Sequence, residues 1–285
     1  MSRLPTCEHL ELQRDGWRLH LTLNRPYVRN AMSFAMVEEI MSVFDALRDR
    51  HDIRAVIIRG AGGNFCSGGD IKDMAAARQA TPGPDGVDPL AHSNRLFGAM
   101  LTEVNQAPQA VIALIEGAAM GGGFGLACVS DVAIAHTDAV FKLPETSLGV
   151  PPAQIAPFIV QRIGLTQARR LAVTGGKIDA HEARVLGLIH EVASDSLILD
   201  ERLEMVLSQI GRCAPAAIGT TKRLMLDAQQ TPLAELLDRS SHDFAAALRS
   251  PEGVEGTVAF MQRRRPSWAE TNAAAEHADN PKSAD

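Results

Sequence analysis

The chain has 285 residues, 46% of them hydrophobic, and a formal net charge of -6. That length holds one large domain or two small ones around a sizeable core. The apolar content argues against overall disorder, and the acidic balance gives no support for nucleic acid as the main partner. The start, "MSRLPTCEHLELQ", lacks the apolar run of a secretory signal. The longest apolar stretches are broken by Glu116 and Asp131, so no membrane-spanning helix is expected. Cys7, Cys66, Cys128 and Cys213 are widely spaced and lack metal-ligand pairing. They read as free thiols, Cys66 and Cys128 as small buried hydrophobes, in a reducing, cytoplasmic setting.

In chain order, "WRLHLTLN" alternates, with Trp17, Leu19, Leu21 and Leu23 on one face of a half-buried strand. "NRPYVRNAMS" is a loop whose Ser33 caps the next helix. Phe34, Val37, Ile40, Met41, Phe44 and Leu47 mark that helix's apolar face. "RAVIIRG" is a buried strand leading to the first glycine loop, and the order strand, helix, strand predicts an α/β fold. Residues 75–89, "AAARQATPGPDGVDP", read as a mobile insert, followed by a helix over 91–105. "AVIALIEG" is a second buried strand feeding the GGG loop, and "VAIA" is another. Beyond "PPAQIAPF" the pattern is helical, without strands of its own. Asp179 and Glu182 form a capping box, and amphipathic segments cover 197–212, 215–229, 232–249 and 252–264. The division expected is a catalytic core over 1–200, a helical region over 201–265 and a disordered tail over 266–285.

Two segments concentrate the chemistry: "FCSGGD", Phe65 to Asp70, and "MGGGFGLACVSD", Met120 to Asp131. Each places glycines after a strand, baring backbone N–H groups to a substrate. Two such groups on one oxygen make an oxyanion hole. Neither is a phosphate loop, lacking Gly-Lys-Ser/Thr, and neither has dinucleotide G-x-G-x-x-G spacing. Glu145 follows in "LPETSLG" and supplies a carboxylate for proton transfer. Together they point to acyl-thioester enolate chemistry.

The ordered set "NRP…NA", "FCSGGD", "GAAMGGG", "LPETSLG" and "GLIHEV" resembles the enoyl-CoA hydratase/isomerase (crotonase) family from about Leu10 to Arg265. The resemblance implies a spiral of β-β-α turns with a C-terminal helical region that builds trimers, often paired into hexamers. It implies a coenzyme A thioester substrate and no metal or redox cofactor. Carried over, the oxyanion donors are the N–H groups of Gly69 and Gly122, and Glu145 is the acid/base. Backbone around Ser67, Gly69, Asp70 and Ile71 lines the adenine and pantetheine arm. Arg29 is a candidate for the phosphates, or a solvated loop residue. Phe260 and Arg263 stand where relatives offer an aromatic and a basic residue to the nucleotide end, sometimes across a subunit boundary, against ordinary helix packing and a solvated basic tail.

One position departs from the family pattern. A typical hydratase has a first catalytic glutamate where this chain has Gly125, so the two-carboxylate water clamp is absent. The stretch "GGGFGLACVSDVAIA", with "LPETSLGVPPAQIAPFIVQRIGLTQARRLAVTG", resembles the glutaconyl-type hydratases, which act on isohexenylglutaconyl-CoA or 3-methylglutaconyl-CoA and also carry glycine there. Gly123, Gly125 and Ala153 are expected to leave room for a branched acyl chain. Its distal carboxylate needs a polar partner, for which Gln154, Arg95 and Lys142 are candidates, surface roles being the alternative for each. Double-bond isomerisation by the same glutamate and a non-catalytic thioester-binding scaffold remain the competing functions.

Overall fold

Strands β1 (Leu10–Asp15) and β2 (Arg18–Leu23) form an antiparallel hairpin, Leu10 opposite Leu23. Leu19, Leu21 and Leu23 share one fully buried face, as alternation requires. The computed structural model describes residues 4–79, 81, 86 and 88–269 and divides into two units, Met1–Met205 and Val206–Asp285. No helix among the described residues is long and apolar enough to cross a membrane.

In the first unit, α1 (Phe34–Leu47) starts at Ser33, whose side chain accepts Met36 N–H at 3.2 Å. Its buried stripe is Met36, Val37, Ile40, Val43, Phe44 and Leu47. β3 (Ala55–Gly60) follows, then α2 (Ile71–Gln79) and α3 (Pro89–Gln106). Helix α2 takes in residues 75–79 of the expected insert, because the Ala run there is a strong helix former. Residues 80, 82–85 and 87 lie outside the described set. Asp88 caps α3, accepting Leu90 N–H at 2.9 Å.

β4 (Ala110–Ile115) is buried at every position, but it does not feed the GGG loop directly. Gly117, with φ +55, turns the chain into β5 (Ala118–Met120), and that strand leads to α4 (Gly122–Val129). β6 (Val132–His136) and β7 (Val140–Lys142) repeat the step before α5 (Ala156–Thr174). The region after α5 has strands after all: β8 (Lys177–Asp179) precedes α6 (Ala180–Val185), and β9 (Glu191–Ala193) follows it. Asp179 caps α6 at 2.8 Å from Glu182 N, but the box is half-formed because the Glu182 carboxylate pairs with Arg170 at 2.6 Å.

The large sheet runs β1-β2-β3-β4-β6-β9, parallel after the hairpin, and the small sheet runs β5-β7-β8. Two successive turns, β4-β5-α4 and β6-β7-α5, each place one strand in the large sheet, the next in the small sheet and then a helix. This is the spiral of β-β-α turns that the motif order implied. α7 (Ser196–Gly211) crosses the division between the units. The second unit continues with α8 (Pro215–Asp227), α9 (Leu233–Arg249) and α10 (Pro251–Met261). Of the expected tail, residues 270–285 lie outside the described set.

Candidate functional site

The small sheet brings the motifs together by register. Cys66 bridges Ala119 and Ala119 pairs with Phe141, all in parallel. Neighbouring strands lie about 4.8 Å apart. Gly69 and Gly122 each follow their aligned residue by three positions, and Glu145 follows Phe141 by four. Parallel, in-register strands therefore deliver both glycine loops and the glutamate to one end of the small sheet.

The first loop is fixed by Met32. Its N–H donates to Gly68 O, and Asp70 N–H donates to Met32 O, both at 2.8 Å. Between these bonds, Gly69 N–H has no acceptor among the described residues. Gly122 opens α4, so its N–H is an orphan of the first turn, and it too has no acceptor among the described residues. Gly121 needs to be glycine twice over: its φ is +49, and a Cβ there would lie 2.7 Å from Glu145 Oε1 and 3.6 Å from Gly68 Cα.

Glu145 heads a short 3-10 turn, Glu145–Leu148. Its Oε2 is buried without a hydrogen-bond partner. Burial pushes its pKa up, and a backbone N–H only partly offsets this. The side chain can therefore hold a proton nearer neutrality than an exposed glutamate does.

Three apolar side chains wall the donors, and none of them was singled out from sequence. A Cβ at Gly122 would lie 2.9 Å from Phe97 Cζ and 3.3 Å from Met32 Sδ, and one at Gly69 would run into Met74 Cε. Gly123 is packed against Cys66, with 2.8 Å between a Cβ there and Cys66 Cβ. Gly125 does not border the expected empty recess. A Cβ on it would lie 2.8 Å from Ile155 Cγ2 and 3.2 Å from Leu101 Cδ1, so these side chains fill the space.

Gln154 lies over Gly98 of α3, where a Cβ would overlap its Oε1, and its Nε2 donates to Asn94 Oδ1 at 3.0 Å. Arg95 Nη1 comes within 3.3 Å of the same Gly98 position. Arg95 is exposed and has no ion-pair or hydrogen-bond partner among the described residues. Ala153 is exposed beside Gln154, and Lys142 alternates away from buried Phe141 and Leu143.

The residues expected along the coenzyme A arm are held from behind. Ser67 N–H donates to Arg29 O at 3.0 Å, and Ser67 Oγ donates to Val28 O at 3.1 Å. Burial raises the Asp70 pKa, but Arg25 at 2.9 Å and Lys72 N–H at 2.9 Å outweigh it and hold the carboxyl below its usual value. Ile71 and Arg29 are exposed, the latter at φ +51. In the second unit, Phe260 is 85% exposed and Arg263, at φ +54, donates its N–H to Phe260 O. Among the described residues no group of three His, Cys, Asp or Glu is arranged to hold a metal ion.

Asn30 was visible only as part of "NRP…NA". At φ +56 and fully buried, it accepts Arg25 N–H at 2.9 Å and donates to Ala61 O at 2.9 Å and Asn64 O at 2.7 Å. It thus ties the loop behind Met32 to the end of β3.

The family profile described as enoyl-CoA hydratase/isomerase matches residues 19–271. A peroxisomal Delta(3,5)-Delta(2,4)-dienoyl-CoA isomerase of Arabidopsis thaliana is 30% identical over 277 residues, covering 94% of this chain and 99% of that protein. Carnitinyl-CoA dehydratase of Escherichia coli (strain K12) is 34% identical over 270 residues, covering 92% and 98%. Among solved structures, an enoyl-CoA hydratase/isomerase from Marinobacter aquaeolei is 54% identical with a TM-score of 0.90, covering 93% of this chain and all of that one (100%). Pseudomonas aeruginosa AtuE is also 54% identical, with a TM-score of 0.88 and coverage of 92% and 100%.

Proposed function

The chain belongs to the enoyl-CoA hydratase/isomerase family, and from that premise we propose that it hydrates a branched α,β-unsaturated acyl-CoA of the isohexenylglutaconyl-CoA or 3-methylglutaconyl-CoA type. The observation that carries this reading is Glu145, a buried carboxylate with raised pKa, beside two N–H groups left without acceptors. Glu145 takes a proton from water as its oxygen bonds to the β-carbon. The charge moves to the thioester oxygen, which Gly69 and Gly122 N–H receive. The protonated Glu145 then delivers its proton to the α-carbon, so one group does the work of two. Coenzyme A enters as part of the substrate, along Ser67, Gly69, Asp70 and Ile71, with Arg29 toward its phosphates, while Phe260 and Arg263 would serve the nucleotide end of a neighbouring copy's site. No further cofactor takes part. The working form is a homotrimer, or a hexamer of two trimers.

For the distal carboxylate of such a substrate the unpartnered Arg95, with Gln154 beside it, is the best-supported receiver. Isomerisation is the second reading, supported by the dienoyl-CoA isomerase among the relatives. The experiment incubates the protein with glutaconyl-type and crotonyl thioesters and follows absorbance and mass. Hydration removes the conjugated absorbance and adds one water, isomerisation leaves the mass unchanged, and a scaffold does neither. Arg95→Gln should raise KM for the glutaconyl-type thioester about tenfold or more, as loss of a charged hydrogen bond does, and leave crotonyl-CoA unaffected.

A further inference from the structure

We propose that Arg25 is a positioning residue: it holds the Gly69 donor in place and neutralises the carboxylate set beside that donor. The inference rests on the hydratase/isomerase reading of Gly69, and concerns a cation that the reaction itself does not touch.

Arg25 belongs to the "NRP" loop, and its Nη1 bridges two atoms. It donates to Ala31 O at 2.6 Å and pairs with Asp70 Oδ2 at 2.9 Å. Ala31 immediately precedes Met32, and Asp70 immediately follows Gly69. Met32 is the residue whose two backbone bonds, to Gly68 O and from Asp70 N–H, bracket Gly69. Arg25 therefore ties together the two strands of chain that form this bracket. Its own place is fixed. Its N–H donates to Asn30 Oδ1 at 2.9 Å, and its guanidinium carbon lies 5.8 Å from the centre of the Tyr27 ring. The other carboxylate oxygen of Asp70, Oδ1, accepts Lys72 N–H at 2.9 Å at the start of α2. Helix α2 has no buried residue, and it carries Met74, whose Cε stands where a Cβ on Gly69 would be. One ion pair thus fixes both the donor and the helix that walls it.

The pair is buried, with the side chains of Arg25 and Asp70 12% and 9% exposed. Apolar residues of similar volume often replace such a pair without loss of stability, so stability alone does not account for it. Its charges do. Asp70 carries a negative charge next to the N–H that must receive a developing negative charge. Without a cation that carboxylate would oppose the reaction in a site shielded from water. With Arg25 on it the pair is neutral overall, and the Gly69 N–H acts on the thioester oxygen undiminished.

The test compares Arg25→Met and the double variant Arg25→Met/Asp70→Asn with the unaltered full-length protein. Loss of one oxyanion donor costs about 10²–10³-fold, so a loosened and opposed donor in Arg25→Met should lower kcat by about 10–100-fold. KM should stay within about threefold, since the interaction is made in the transition state. Asn keeps an acceptor for Lys72 N–H and brings no charge, so the double variant should recover about tenfold of the lost rate. A second readout is the carbonyl stretch of a bound saturated acyl-CoA, which donors at the oxygen shift to lower frequency. The shift should shrink in Arg25→Met and return in part in the double variant. The proposal is overturned if Arg25→Met keeps kcat and the carbonyl shift, or if its effect is on KM alone. It is equally overturned if the double variant is no faster than Arg25→Met, since packing rather than charge would then matter. Should Arg25→Met fail to fold, Arg25→Lys keeps the cation and takes its place. It should retain kcat within about tenfold, and a folded Arg25→Lys below about a hundredth of the parent rate overturns the proposal. If neither the protein nor its variants turn over an enoyl thioester but the shift follows the stated order, the family reading of the reaction fails and the positioning role stands.

Discussion

In the proposed reaction the chemistry at Glu145 depends on one carboxyl group and the dryness around it. Glu145→Gln keeps the shape and removes the base, so kcat should fall by about 10²–10⁴-fold while acyl-CoA binding, measured by titration, is retained. The pH profile follows from the direction of the shift. Burial raises the pKa above its ordinary 4.5, and the base works only when ionised. Activity should therefore be lost on acidification at a pH above 4.5, and a profile flat down to that value would contradict the assignment. Gly125 gives a second residue-level prediction, different from the one its sequence invites. Ile155 and Leu101 occupy its Cβ space, so Gly125→Glu should overpack α4 and cost about 1–3 kcal/mol of stability. Adding Ile155→Ala should recover part of that loss in denaturant melts. If Gly125→Glu is as stable as the parent, the recess is open and the branched-chain pocket belongs there.

Among the elements, long periodic ones were legible and short paired ones were not. β2, β3, β4, α1 and α3 each carry enough residues for a period to show. β5, β7, β8 and β9 have three residues each. Three residues show no alternation, and their strand state comes from partners distant in sequence. The glycine motifs and Glu145 were readable because their chemistry is local. Phe97, Met74 and Met32 were not, because only packing of separate helices and loops brings them over the donors. The Asn30 loop lies between these cases, its residue visible and its role not. Three buried hydrogen bonds at about 1 kcal/mol each imply that Asn30→Ala loses about 2–4 kcal/mol. Asn30→Asp keeps the acceptor for Arg25 N–H but sets a carboxylate against Ala61 O and Asn64 O. Those carbonyls favour the protonated acid and raise its folded-state pKa. The variant should be most stable in acid and lose stability as pH rises. A denaturant midpoint for Asn30→Asp that is no lower at pH 8 than at pH 5 would refute this account.

The whole molecule carries an apolar face that the described chain leaves open. On α9, Leu233, Leu237, Phe244 and Leu248 are 70%, 58%, 69% and 47% exposed. At about 100° per residue they fall within one stripe of the helix. A stripe of that kind on one chain marks an interaction surface more often than a solvated one. The trimer that the family resemblance implies would cover such a face by symmetry, each copy presenting the same patch. Light scattering at micromolar concentration should give three or six times the chain mass. Phe244→Glu puts a charge in the middle of the stripe and should shift that mass toward the monomer. Glu235→Gln, a change outside the stripe on the same helix, should leave the mass unchanged. A monomer in the unaltered protein would sink the trimer, along with any service of Phe260 and Arg263 to a neighbour's nucleotide site. An unchanged trimer in Phe244→Glu would keep the assembly but move its interface away from α9.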